Sequence, residues 1–293
     1  MRTRIILISL LALLIAGAAA LYAAGSDDDE DGSGRVVAGF YPVAFAAEEV
    51  GAPEVENLTP PGAEPHDVEV SASDVEEVQE ADLVLLMGRD FQPQLEDAAA
   101  GAGGEVVEIL DTSGLDLLRG GGEDDEHGQD PHVWLDPRRY TLVVERIAGA
   151  LEDPEAAMPM VEQLDQLDAE FRAGLSDCER REIVTSHEAF GYLADRYGLE
   201  QIAVTGLSPE AEPSPTELSD VVEEVRSSGA TTVFSETLVS PDLAETVARE
   251  TGAETAVLNP IEGLTAEEQD RGEDYFSLMR ENLAQLRAAL ECR

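Results

Sequence analysis

The 293-residue chain is long enough for two ordinary domains, and 43% of it is apolar, enough to fill a sizeable core. It carries 18 basic against 63 acidic residues, a formal net charge of −45, and every basic residue is arginine. Such a surface repels nucleic acid and anionic membranes and attracts cations, which leaves two readings of the charge: cation collection, or adaptation to high salt, where self-repulsion is screened.

Arg2 and Arg4 precede an uncharged, largely apolar run of 20 residues, Ile5 to Ala24, followed by Gly25-Ser26 and the acids Asp27-Asp28-Asp29-Glu30-Asp31. A basic start before an apolar stretch is the pattern of a secretory signal. The run is also long enough to span a bilayer at a rise of about 1.5 Å per residue. Ala18 to Ala20 and Ala23-Ala24 offer cleavage sites, and no cysteine follows the run to carry a lipid. A cleaved signal and a retained N-terminal anchor over residues 1–25 both remain open. Both place the rest of the chain outside the cytoplasm, behind an acidic tether at 26–34.

From Val36 onward, short apolar runs alternate with amphipathic stretches. Strands are predicted at 36–40, 54–58, 83–87 and 105–110. Helices are predicted to end near Val50, to run to Glu80 from a Ser73-x-x-Glu76 capping box, and to cover 92–100. This is one β/α lobe, 35–152. Residues 111–131 break the pattern with Gly120-Gly121-Gly122 and an acidic loop through His127-Gly128. A helix then runs from Pro137 to Leu151. A second long helical stretch, Glu155 to Leu175, has apolar residues at Met158, Val161, Leu164, Leu167 and Phe171 and makes 153–177 the natural linker between lobes. The second lobe, 178–293, repeats the alternation with strands at 182–185, 201–205, 231–235 and 255–258. Its helices open at Ser214-Pro215-Thr216-Glu217, at Ser240-Pro241 and at Thr265-x-x-Glu268, the last running to near Cys292. The fold class is therefore α/β: two β/α lobes with mostly parallel sheets, joined by a long helix. In such sheets ligands sit beyond the carboxyl ends of the strands. His187, Glu236 and Asn259 each follow a predicted strand, so all three can face one inter-lobe cleft.

The two cysteines, Cys178 and Cys292, lie in no Cys-x-x-Cys motif. An even count in an extracytoplasmic chain points to a disulfide, and this one would staple the C-terminal helix to its lobe.

Three of the four histidines sit in short phrases: Pro65-His66-Asp67, Asp130-Pro131-His132-Val133-Trp134-Leu135-Asp136-Pro137, and Thr185-Ser186-His187-Glu188-Ala189-Phe190. Each alone reads as an ordinary surface or hydrogen-bonded histidine. Three that converge in space make a Zn²⁺ site, because imidazole nitrogen suits a borderline-soft d¹⁰ ion.

These phrases, together with Val233-Phe234-Ser235-Glu236, resemble the solute-binding proteins of zinc and manganese ABC transporters over about residues 35–290. The resemblance implies two lobes joined by one rigid helix, a metal between them held by His66, His132 and His187, and a monomer that hands Zn²⁺ to a permease. Histidine at the third position favours zinc over manganese. Asn259 stands where many relatives carry Asp, which leaves water, Glu236 or the Asn259 oxygen as the fourth ligand. Glu236 can instead orient a ligand histidine. A manganese or iron homologue and a surface adhesin are alternatives on the same fold. A zinc hydrolase is the alternative of another class, but a His-Glu-x-x-His motif would need histidine at Gly191.

Overall fold

The computed structural model describes residues 34–120, 128–211 and 213–293; the expected signal or anchor, nearly all of the tether, and residues 121–127 with His127 lie outside the described residues. Strands β1 (Arg35–Ala38), β2 (Glu54–Asn57), β3 (Leu83–Leu86) and β4 (Glu105–Glu108) form a parallel sheet in the order β2-β1-β3-β4. Strands β5 (Glu182–Thr185), β6 (Glu200–Ala203), β7 (Thr232–Ser235) and β8 (Glu254–Val257) repeat that topology as β6-β5-β7-β8. The sequence pattern explains the order. Leu83-Val84-Leu85-Leu86 is buried at every position, as a central parallel strand must be. Glu54-Val55-Glu56-Asn57 alternates between exposed and half-buried, as an edge strand does.

Helices α1 (Tyr41–Glu49), α2 (Ala72–Glu80) and α3 (Pro93–Ala99) accompany the first sheet, and α6 (Gly191–Tyr197), α7 (Pro215–Ser228) and α8 (Asp242–Thr251) the second. Between the lobes lie α4 (Pro137–Ala150) and the long α5 (Met158–Gly174); α9 (Ala266–Arg271) and α10 (Tyr275–Ala289) end the chain. No helix among the described residues is long and apolar enough to cross a membrane.

Two local expectations are corrected. The capping box of α2 uses Ser71 and Asp74, not Ser73 and Glu76. Both registers are available in Ser71-Ala72-Ser73-Asp74-Val75-Glu76, and the earlier one satisfies the first-turn donors of a helix two residues longer. The C-terminal helix is two helices. Thr265 and Glu268 cap α9, Gly272 stops it in the left-handed region (φ 70°), and Asp274 with Ser277 caps α10.

Each sheet has an outer and an inner face. On the outer faces, Val37, Val84 and Leu86 pack with Val78 and Leu95, and Val184 and Val233 pack with Val222, Val225 and Val247. The inner faces share one continuous core. It runs from Phe40 and Val43 through Trp134, Tyr140, Leu164 and Phe171 to Phe190, Tyr275 and Leu286. The lobes are halves of one packed body rather than two bodies on a hinge. Cys178 and Cys292 form the disulfide, closing a 114-residue separation, and Glu179 and Arg180 donate backbone N–H groups to Leu290 O beside it.

Candidate metal centre

The carboxyl edges of both sheets face the cleft, and four loops deliver side chains to it. His66 rides on a 3₁₀ turn (Pro65–Asp67) beyond β2. His132 immediately precedes the 3₁₀ turn Val133–Leu135, and Asp136 then caps α4 by accepting the Arg138 N–H. His187 follows β5. Glu262 lies in the loop beyond β8.

His66, His132, His187 and Glu262 each offer one atom to a common point, all within 4.8 Å of one another. Glu262 Oε1 lies 3.3 Å from His66 Nε2, 3.1 Å from His132 Nε2 and 3.5 Å from His187 Nε2. His132 Nε2 and His187 Nε2 are 3.3 Å apart. A tetrahedral ion with bonds of about 2.0–2.1 Å has ligand–ligand edges of about 3.3–3.4 Å. Four of the six spacings among these atoms, 3.1–3.5 Å, match the edges of such a tetrahedron, and the remaining two lie within 4.8 Å.

Carboxylates behind the imidazoles set which nitrogen faces inward. His132 Nδ1–H donates to Asp130 Oδ1 at 2.7 Å, and His187 Nδ1–H donates to both Glu236 oxygens at 2.8 Å. With the proton on Nδ1, each Nε2 presents a lone pair to the centre. Lone pairs and a carboxylate oxygen packed this closely repel one another unless a cation or shared protons lie between them. Glu262 Oε2 is also buried and has no hydrogen-bond partner among the described residues. A buried carboxylate oxygen without a donor is a costly arrangement that a bound cation relieves.

Proton affinities carry the same signature. Burial pushes the His132 and His187 imidazoles down, but the carboxylates outweigh it: Asp130 and Glu262 raise His132, and Glu236 and Glu262 hold His187 well above its ordinary value. His66 stays lowered, because burial outweighs its contact with Glu262. Burial would raise Glu262, yet its bonds to the three histidines hold it well below the usual carboxylate range. Burial and the neighbouring Glu262 charge push Glu64 up to about 9. The acceptors that draw protons here are those that would draw a divalent cation.

His66, His132 and His187, expected from sequence, are brought together. The remaining two candidates are not first in line. Glu236 is taken up with His187, accepting from both its Nδ1–H and its backbone N–H. Asn259 is engaged elsewhere. Its Oδ1 accepts the Ile261 N–H, its Nδ2 donates to Glu268, and its backbone N–H and C=O pair with the Asn282 amide. It is the anchor of a turn, and that turn aims Glu262. Ile261 sits at φ 57°, a conformation a β-branched residue adopts only under constraint. Sequence reasoning missed Glu262 because it weighed only the residue directly after the strand. The available signal was a carboxylate in a Pro- and Gly-flanked loop, Pro260-Ile261-Glu262-Gly263, at the same sheet edge.

Residues 36–289 match the family described as zinc-uptake complex component A, periplasmic, the ZnuA family. The chain belongs to this family. A zinc-binding protein AdcA of Streptococcus pyogenes serotype M6 is 36% identical over 288 residues, covering 88% of this chain and 56% of that protein. The chain thus spans about half the length of that curated relative. The high-affinity zinc uptake system protein ZnuA of Bacillus subtilis strain 168 is 33% identical, covering 87% of each. The Zn(II)-bound ZnuA-like domain of Streptococcus pneumoniae AdcA superposes with a TM-score of 0.73 at 36% identity, over 88% of this chain and 99% of that one.

Within this ZnuA-family fold, one residue joins the two halves of the site. The Trp134 indole N–H donates to Pro260 O at 2.8 Å, and Tyr275 OH donates to Trp134 O at 2.6 Å. His132 and the Glu262 loop therefore share a strut. Access is narrow: the His132, His187 and Glu262 side chains are fully buried, and the His66 side chain is 11% exposed.

Proposed function

We propose that this chain captures Zn²⁺ outside the cytoplasm and delivers it to the permease of an ABC importer, with His66, His132, His187 and Glu262 as its four ligands. The observation that carries this reading is the convergence of three imidazole Nε2 atoms, two of them on rings whose Nδ1–H is held by a carboxylate, with one carboxylate oxygen at spacings of 3.1–3.5 Å from Glu262. Membership of a zinc-uptake family and the zinc-binding names of its relatives support it. On this reading residues 35–152 and 178–293 are the two lobes that flank the ion, linked by 153–177, and Glu236 and Asp130 hold the histidines rather than the ion.

The same geometry argues against a zinc enzyme. A catalytic zinc keeps an open coordination position for water or substrate. Here a fourth protein ligand fills the position that a substrate would need, and of the four only the His66 side chain reaches solvent. Three neutral nitrogens with a single carboxylate also favour zinc over manganese, which prefers more oxygen.

The test is metal content by mass spectrometry of protein purified without chelator, followed by Zn²⁺ and Mn²⁺ titrations and a zinc-limited growth assay of cells lacking the gene. One equivalent of zinc and a growth defect repaired by zinc supplementation are expected. Protein that retains no zinc and titrates with none would overturn the reading.

A further inference from the structure

We propose that Gln92 is a positioning residue for His66, and that through His66 it sets how tightly the site holds zinc; this rests on the ligand assignment above. His132 and His187 are each turned by a carboxylate on Nδ1, but His66 is held through its backbone. The grip is on one peptide unit. Pro65 O accepts from Gln92 Nε2 at 3.3 Å, and the His66 N–H of the same peptide donates to Glu64 Oε1 at 3.1 Å. With both ends of the peptide plane held, the N–Cα bond from which the His66 side chain hangs is placed before any metal arrives.

Gln92 is built for this. It is 2% exposed, and its Nε2 also reaches Gly39 O at 3.1 Å and Thr59 Oγ1 at 3.2 Å. Its two amide hydrogens, shared among these three acceptors, tie the residue after β1 and the segment after β2 to the His66 turn. Its Oε1 is buried with no partner among the described residues, so the amide is oriented for its donors. Backbone strain puts it there. Gly88, Arg89 and Asp90 follow β3 with φ of 79°, 60° and 64°, three left-handed residues in a row, two of them not glycine. Phe91, next in line, sets its ring at 4.5 Å from the His66 ring, tilted 67°. Position 39 conforms to the same arrangement, since a Cβ on Gly39 would collide with Gln92 Oε1.

A residue that merely fills the core would weaken the protein without singling out His66. A thermodynamic cycle separates the two cases. Zinc affinity is measured by chelator competition on the full chain for the wild type, Gln92→Met, His66→Ala and the double variant. Gln92→Met keeps the volume and removes the donors. It should weaken zinc about tenfold in the wild type, the lower end for residues that orient a ligand. With His66 already removed, it should change affinity by less than about twofold, because the group it acts through is gone. Cobalt(II) provides a spectroscopic reading: the intense visible bands of the tetrahedral wild-type complex should weaken in Gln92→Met, toward the His66→Ala spectrum. Gly39→Ala displaces the amide without altering it and should repeat the pattern, keeping the test decisive if Gln92→Met folds poorly. Unchanged zinc affinity in both Gln92→Met and Gly39→Ala would overturn the proposal, as would equal losses with and without His66. A His66→Ala chain that binds zinc as the wild type does would instead overturn the ligand assignment, and the proposal with it.

Discussion

Replacing Glu262 by glutamine removes the only anionic atom among the four converging on the site while leaving its shape nearly intact. Two effects add. The zinc complex loses a charged ligand that touches all three imidazole nitrogens at 3.1–3.5 Å. The metal-free state gains wherever an imidazole Nε2 carries no proton, because a glutamine Nε2–H can donate to that lone pair, whereas the carboxylate attracts only a protonated ring. Loss of one charge-assisted contact is about 1.5–3 kcal/mol, and relief of the crowded acceptors adds to it. We therefore expect zinc binding to weaken by at least about 100-fold, or about 2.8 kcal/mol. Thermal unfolding reads this directly. At free zinc of about 100 times the wild-type Kd, binding stabilises the wild type by about 2.7 kcal/mol, against about 0.4 kcal/mol for the variant. For a domain of this size those values correspond to roughly 5–11 °C and roughly 1–2 °C of zinc-dependent shift. Differential scanning fluorimetry with buffered zinc is the assay. A Glu262→Gln protein with the full wild-type shift would refute the reasoning and return the fourth position to Glu236 or water.

Zinc affinity should fall as pH drops, beginning above the ordinary imidazole pKa of about 6.5, because carboxylates raise His132 and His187 and zinc must displace their protons. The same raised values mean that charged imidazoles stabilise the metal-free fold most fully below about pH 6.5, a contribution lost as pH rises through the folded values; affinity flat between pH 6 and 8 would contradict both. Asn259→Asp should not tighten zinc. It removes the Nδ2 donor to Glu268 and sets two buried carboxylates against each other, so it should lower stability by about 1–3 kcal/mol in urea unfolding and weaken zinc indirectly. Cys178→Ser should lower stability by about 4–5 kcal/mol, the chain-entropy value for a loop of this length, with zinc affinity in the folded protein nearly unchanged. Unfolding midpoints that match the wild type would show that the bridge contributes nothing.

Much of the architecture was legible because its causes are local. The continuous apolar run at Leu83 to Leu86 is a central strand wherever the chain goes, and the alternation of short apolar runs with capped helices implies parallel sheets. The three histidines stood out because imidazole is scarce in this chain and each lies at an element boundary. Where two local solutions competed, as at Ser71 and Ser73, pattern alone picked the wrong register.

What the sequence determined by itself, then, was the α/β class, the order of elements, the cysteine pair and the histidines as candidates. Each follows from periodicity, composition or capping chemistry within a few residues. What only the tertiary structure decided was the roles. Glu262 and Glu236 are both glutamates just beyond strands; one reaches the centre and the other sits behind His187, because the Asn259 turn and the left-handed Ile261 swing the first inward. The shared core across both lobes, the Trp134 strut to Pro260 and the Gln92 grip on the His66 peptide likewise join residues tens of positions apart or more. Those contacts depend on how the two sheets pack against each other, and no local pattern encodes that.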